Sequence, residues 1–87
     1  MTFGRDLGND VVVSNHRASR VHAIIEWRRD KFILADQSTN GTFVATEGAG
    51  ETVLRREEMT LLGRGLVSFG GPVVPGAQGL LEFVCHV

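Results

Sequence analysis

The sequence lacks the features that mark secreted and membrane proteins. It contains a single cysteine, Cys85, which excludes a disulfide within the chain and fits a reducing compartment. No apolar run approaches the roughly 20 residues that a membrane-spanning helix needs. The first residues also lack the charged start and apolar core of a secretory signal. We therefore expect a cytoplasmic protein.

An excess of charge of either sign is also missing. The chain has 9 Lys and Arg against 10 Asp and Glu, a net charge of −1. Proteins that bind nucleic acid or membrane surfaces usually present a broad basic face, so we expect neither partner. Five cations nonetheless fall close together, and they either give one end of the domain a positive potential or are scattered, solvated charges. They are Arg17, Arg20, Arg28, Arg29 and Lys31.

The 87 residues predict one small domain, 1–87, with an all-β fold. Short runs of Val, Ile, Leu and Phe alternate with Gly-rich and turn-rich connections, which favours a two-sheet antiparallel β-sandwich. Residues 55–59 are good helix formers and predict a single helical turn. We predict strands near residues 2–5, 10–13, 21–27, 31–35, 42–44, 52–54, 60–62, 66–69 and 80–86.

The two-residue period of a strand predicts which side chains reach the core. Residues 28–30 form the turn of a hairpin, and Phe32 and Leu34 share one face of its returning strand. The buried faces of the third and last predicted strands consist of Val21, Ala23, Ile25 and Trp27, and of Leu81, Phe83, Cys85 and Val87.

Seven polar or small residues, 36–42, lie between two apolar runs and therefore predict a loop. Asn and Gly tolerate left-handed backbone, and Ser, Thr and Asp side chains bond to neighbouring backbone groups. We expect a tightly wound loop that could hold a ligand. Taken alone, the same residues also fit a long hairpin turn.

Three separated motifs place this loop in a family pattern. They are Gly4-Arg5, Ser19-Arg20-Val21-His22 and Asn40-Gly41-Thr42. In this order and approximate spacing the chain resembles a forkhead-associated (FHA) domain, from residue 3 to about residue 70. The resemblance implies a sandwich of the SMAD/FHA type that binds phosphothreonine, with no catalytic activity of its own and no cofactor.

The resemblance also implies a set of binding residues on loops at one end of the sandwich. Arg5 would be the main phosphate ligand, with a guanidinium suited to bidentate recognition. Ser19 would bind phosphate directly, and Arg20 would add a cationic or backbone contact. Thr39 would lie near the phosphate, whereas Asn40 would bond the main chain of the peptide.

Three further residues are structural by resemblance: Gly4, Gly41 and His22, the last as a hydrogen-bond partner under the binding loops. A hydrolase triad of Ser19, His22 and Asp36 is disfavoured, since no strained nucleophile turn is recognisable. A metal site is disfavoured too, because the adjacent Cys85 and His86 would point to opposite faces of a strand.

The second half of the chain departs from the family. Residues 44–50 replace the usual Asn-Gly pair, and Arg64-Gly65 stands in place of the usual Gly-Asp turn. This half is similar to FHA-like tails of bacterial nucleotide cyclases. An alternative is therefore a structural or self-association domain of a larger signalling protein, with reduced or lost phosphate binding.

The position of Gly4-Arg5 near the start of the sequence implies one more property. FHA domains normally carry one or two strands before this pair, and the family pairs its first and last strands. Residues 80–86 should then present an unpaired edge, and such edges recruit other strands. We expect a homodimer through this edge, or an upstream segment of a longer protein that covers it.

Overall fold

The computed structural model describes residues 1–86, which form nine β-strands and no helix. No segment of this range could therefore cross a membrane as a helix. The strands are β1 (Thr2–Gly4), β2 (Val11–Val12), β3 (Ala23–Arg28), β4 (Lys31–Asp36), β5 (Thr42–Thr46), β6 (Gly50–Leu54), β7 (Glu58–Leu61), β8 (Arg64–Phe69) and β9 (Leu81–Val84). Each overlaps a predicted strand, and the all-β expectation is confirmed.

The strands form two sheets that pack face to face. The first has the order β2-β1-β3-β4-β7 and the second the order β6-β5-β8-β9. All pairs are antiparallel except β1 with β2, which run parallel. β1 lies between β2 and β3 in the first sheet, so residues 1–5 do not cover the free edge of β9 in the second.

The core lies between the two sheets. Its fully buried side chains include Phe3 and Leu34 from the first sheet and Val44, Val67 and Phe69 from the second. The rings of Phe3 and Phe69 stack across the interface with centroids 5.5 Å apart. This contact joins β1 to the end of β8, which brings the sheets together beside the loops described below.

The predicted β3–β4 hairpin is present, with Arg29 and Asp30 as its two turn residues. Both have positive φ, 51° and 64°, as a two-residue turn matched to strand twist requires. The face prediction for this hairpin is only partly right. Ala23 is buried and Ile25 packs against the core, but Trp27 is 58% exposed.

Val21 (41%) and Phe32 (42%) are also exposed, against expectation. Val21 precedes β3 in a loop, where the strand period does not apply. Trp27 and Phe32 pair at the turn end of the hairpin and pack edge to face, 4.7 Å apart. Cys85 and His86, which follow β9, line the same surface pocket as these two rings.

The last strand is shorter than predicted but buries the expected face. Phe83 is buried, and Leu81 and Cys85 pack against the core. Val87, assigned to the same face, lies outside the described residues.

The predicted helical turn at residues 55–59 is wrong. Residues 55 and 56 form a bend, and β7 begins at Glu58. Arg56 has a φ of 59°, which a right-handed helix cannot contain. The Asp36 N–H donates to Glu57 O at 2.9 Å, so bonds to a distant segment override the local helix propensity.

Gly4 ends β1 against the backbone of a neighbouring loop. A Cβ at this position would lie 2.0 Å from the carbonyl oxygen of Arg20. Only glycine permits this approach, which brings the residue after it, Arg5, next to Ser19 and Arg20.

Gly4→Ala should therefore destabilise the domain, because the added methyl group must push two backbone segments apart. We expect the thermal midpoint to fall by at least about 5 °C, measured by circular dichroism. Gly8→Ala is the matched control, since a Cβ there meets no atom within 4 Å. Equal midpoints for the two variants would contradict the close packing of Gly4.

Candidate functional site

Three loops meet at one end of the sandwich, where β1 and β4 end and β3 and β5 begin. The first loop, residues 5–10, follows β1, and the second loop, residues 13–22, precedes β3. Backbone hydrogen bonds join these two loops. The Arg5 N–H donates to Ser19 O at 3.0 Å, and the Asp6 N–H donates to Arg20 O at 3.2 Å. The third loop is Gln37 to Gly41. A buried histidine connects the second and third loops to β1.

His22 is fully buried and bonds in four directions. Its Nδ1 accepts the Ser19 N–H at 3.0 Å, and its Nε2 donates to Gly41 O at 2.8 Å. Its backbone N–H donates to Phe3 O at 2.7 Å, and its carbonyl accepts the Gln37 N–H at 2.9 Å. One residue thus fixes β1 and two loops relative to one another.

These bonds define the protonation state of the ring. Because Nδ1 accepts a hydrogen bond, the single proton of the neutral imidazole is on Nε2. Burial lowers the pKa of His22, against the opposing effects of the Gly41 carbonyl and of Asp36, whose Oδ1 lies 3.9 Å from Nε2. A second proton on Nδ1 would face the Ser19 N–H, so the folded protein holds the ring neutral.

Ser19 and Thr39 link the second loop to the third. The Thr39 N–H donates to Ser19 Oγ at 3.1 Å. An oxygen that accepts this bond still carries its own hydroxyl proton. The Ser19 hydroxyl therefore sits between the loops with a proton to donate.

The three other predicted binding residues are exposed on the same loops. Arg5 Nε donates to Ala18 O, which ties the arginine side chain to the second loop. Arg20 follows Ser19, and its carbonyl accepts the Asn9 Nδ2 at 2.7 Å. Asn40 Nδ2 donates to Arg17 O at 2.9 Å. The structure thus brings all five predicted residues to one end of the domain.

The third loop is organised by Asp36, which the sequence analysis included in the self-bonded loop 36–42 and in a disfavoured triad. Its carboxylate Oδ1 accepts the Ser38 N–H at 3.2 Å, the Ser38 hydroxyl at 2.5 Å and the Thr42 hydroxyl at 2.6 Å. Its Oδ2 accepts the Arg56 N–H at 2.9 Å. Ser38 Oγ accepts the Gly41 N–H at 2.8 Å. The loop is tightly wound and self-bonded, as its composition predicts.

The Asp36 carboxylate is buried yet ionised. Burial alone would raise its pKa, but the hydrogen bonds from Arg56, Ser38 and Thr42 together lower the pKa below its ordinary value of 3.8. A buried charge is tolerated where hydrogen bonds replace its hydration. The signal that could have identified this role is an Asp two residues before a Ser, a common self-bonding turn.

Sequence reasoning also missed Arg56, which reaches this loop from the bend before β7. Its Nε donates to Ser38 O at 3.0 Å. Because the contact is remote in sequence, no local pattern marks it.

The five clustered cations do not form one patch. Arg17 and Arg20 lie on the second loop, whereas Arg28, Arg29 and Lys31 surround the hairpin turn at the other end of β3. Arg5 and Arg56 join the loop end instead. Within residues 1–86, ion pairs involve Arg28 and Arg64, and none involves the four arginines near the loops.

The geometry does not match a hydrolase triad. Both ring nitrogens of His22 are occupied by backbone groups, and Ser19 Oγ is bonded by Thr39 instead of His22. Among residues 1–86, no three His, Cys, Asp or Glu side chains are grouped closely enough to hold a metal ion.

The loops at one end of this sandwich are hydrogen-bonded to one another and to a buried histidine. The family model of the FHA domain matches residues 1–67. The chain therefore belongs to the FHA family, whose members are phosphopeptide-recognition modules rather than enzymes. No curated protein matches the sequence.

His22→Ala should lower the stability of the folded protein and its dependence on pH. Loss of the ring leaves a void and unpaired backbone groups, and we expect a loss of about 2–4 kcal/mol in the free energy of unfolding near pH 7.5. In the wild type, stability should fall as the pH drops below 6.5, because the unfolded chain then binds a proton on His22 that the folded protein does not.

Urea unfolding at about pH 7.5 and about pH 5.5 measures both effects. The Asp36 pKa lies below 3.8, so that group does not titrate in this interval. His16→Ala, at an exposed residue, is the control and should keep the wild-type midpoint and slope. A His22→Ala variant of normal stability would contradict the bracing role of the ring.

Proposed function

We propose that this domain binds peptides and proteins that contain phosphothreonine, as a cytoplasmic signalling module. The observation that carries the proposal is the junction of Arg5, Ser19 and Thr39. They come from three separate loops. The Arg5 N–H donates to Ser19 O, the Thr39 N–H donates to Ser19 Oγ, and the Ser19 N–H donates to the buried His22 ring. A guanidinium and a hydroxyl donor held together in this way suit a phosphate group.

Each binding residue has a role that follows from its atoms. Arg5 uses Nε to hold Ala18, which leaves its terminal nitrogens for phosphate oxygens. Ser19 donates its hydroxyl proton, and Thr39 and Arg20 border the same place. The side-chain nitrogen of Asn40 donates to Arg17 O. Its side-chain oxygen can therefore accept an N–H from the main chain of an extended peptide.

The expected free energy of binding favours a reversible complex. Phosphothreonine carries about −1.5 to −2 charge at neutral pH. Three or four charge-assisted hydrogen bonds would contribute roughly 5–12 kcal/mol in total. Association and ordering of the peptide oppose this by several kcal/mol. With main-chain contacts included, the net is about 8 kcal/mol, which corresponds to a Kd near 1 μM.

Arg5→Ala and Ser19→Ala should each weaken phosphopeptide binding by about tenfold to a hundredfold, because each removes a charge-assisted bond of roughly 1.5–3 kcal/mol. Calorimetric titration with a phosphothreonine peptide measures the affinity, and a melting curve checks the fold. Arg29→Ala, at the opposite end of β3, is the matched control and should bind like the wild type.

The same titration includes the unphosphorylated peptide and one with glutamate in place of phosphothreonine. Both should bind poorly, since a carboxylate offers two oxygens and one charge to a site that suits three oxygens and nearly two charges. Unchanged affinity in both variants would reject the site, and tight binding of the glutamate peptide would indicate a general anion site.

A second candidate function is self-association within a larger signalling protein, and a nucleotide cyclase is one such parent. The edge of β9 favours it. Among residues 1–86, β9 pairs with β8 on one side and has no strand on the other. The Cys85 N–H donates to Gly63 O of the β7–β8 turn at 2.7 Å. By alternation, the N–H groups of Glu82 and Val84 face the open side.

Val84→Pro should abolish a dimer that forms through this edge. Proline removes an N–H that faces outward and leaves the bonds to β8 intact. Light scattering should show a dimer for the wild type and for the control Val84→Ala, and a monomer for Val84→Pro. A monomeric wild type with fast amide exchange at Glu82 and Val84 would overturn the dimer. If the amides of Glu82 and Val84 exchange slowly only in a longer parent chain, an additional strand of that chain covers the edge.

A further inference from the structure

Arg56 lies beside the third loop and is fixed to it at two points. Its backbone N–H donates to Asp36 Oδ2 at 2.9 Å, and its side-chain Nε donates to Ser38 O at 3.0 Å. Its φ of 59° is left-handed, a conformation that residues other than Gly and Asn rarely adopt. The loop therefore holds this exposed arginine in a defined place.

One peptide unit connects Arg56 to the proposed phosphate site. The carbonyl of Ser38 accepts the Arg56 Nε, and the N–H of the same unit, that of Thr39, donates to Ser19 Oγ at 3.1 Å. The two groups of a trans peptide point in opposite directions, so Arg56 and Ser19 flank the loop from two sides. Their bonded atoms lie within about 8 Å of each other.

This separation matches the spacing of a bound peptide. An extended chain advances about 3.3 Å per residue. A residue two positions from the phosphothreonine therefore stands about 7 Å from it, which is within the upper limit of about 8 Å that the two hydrogen bonds set between Ser19 Oγ and Arg56 Nε. A side chain at that position could reach the guanidinium.

Charge favours an acidic side chain there. Four arginines border the loops and form no ion pair within residues 1–86, whereas phosphothreonine brings at most about two negative charges. The two carboxylates that bond this bend, Asp36 and Glu57, already accept hydrogen bonds from backbone or hydroxyl groups. Asp36 accepts four hydrogen bonds, and Glu57 accepts the Arg55 N–H at 3.1 Å. The four arginines are Arg5, Arg17, Arg20 and Arg56.

We infer that Arg56 determines specificity by selecting phosphothreonine peptides with an acidic residue about two positions from the phosphothreonine. The inference rests on the proposed function, because it needs the phosphate to occupy the junction of Arg5, Ser19 and Thr39. It differs from a bracing role, in which Arg56 would only hold Ser38. A brace would affect all phosphopeptides equally, whereas recognition affects only those with the acidic residue.

The test uses a phosphothreonine peptide with alanine at the flanking positions and a series in which one aspartate replaces alanine, at each position up to three residues on either side. Calorimetry should show that aspartate at one position near two residues away improves wild-type affinity about three- to tenfold. We call the affinity for the aspartate peptide divided by that for the alanine peptide the aspartate ratio. Arg56→Gln should remove this ratio while the alanine peptide still binds. Arg55→Gln, the neighbouring arginine, is the matched control and should keep the ratio.

Two further measurements keep the result decisive if Arg56→Gln is poorly folded. Arg56→Lys should retain part of the ratio because it retains the charge. In the wild type, the NMR signal of Arg56 Nε–H should move further with the aspartate peptide than with the alanine peptide.

Two results would overturn this inference and leave the proposed function standing. Either the alanine peptide binds and no aspartate position improves affinity, or Arg56→Gln keeps the ratio. If the wild type does not distinguish phosphorylated from unphosphorylated peptides, the proposed function fails and the inference fails with it.

Discussion

The proposed site depends on the hydrogen bonds of one buried residue, His22. Its ring and backbone bond Phe3, Ser19, Gln37 and Gly41, so three segments, β1 and the second and third loops, take their positions from it. A buried polar group is stable only when its partners are in place. The ring therefore stabilises one arrangement of the loops and penalises others, and this gives the loops a fixed geometry before any ligand arrives.

Local pattern and a family resemblance predicted most of the fold. Alternating apolar residues and Gly-rich turns were sufficient for the nine strands, because strand periodicity reflects burial on one face. The errors occurred where tertiary contacts decide. Trp27 follows the strand period but lies at the turn end of its hairpin with little to cover it, and the bend at Arg56 is held by Asp36, twenty residues away.

For the candidate site too, some residues could be predicted from the sequence and some contacts could not. The resemblance brought Arg5, Ser19, Arg20, Thr39 and Asn40 into the hypothesis, and the structure places them together. It could not supply the contacts of this particular chain. The sequence placed Asp36 in a self-bonded loop, but its contact with Arg56 became visible only in three dimensions, since the two residues are twenty positions apart.

The third loop is also tied to the second sheet, and this links the site to the whole sandwich. Gly41 O accepts the Gly70 N–H at 3.0 Å as well as the His22 ring. Asn15 Nδ2 donates to Phe69 O at 3.0 Å, which ties the second loop to the same end of β8. Loops fixed to both sheets lose little freedom when a ligand binds, so less of the interaction energy is spent on ordering them. The loops of the proposed site are therefore tied by hydrogen bonds to the same end of β8 that carries Phe69, the core residue stacked on Phe3 of β1.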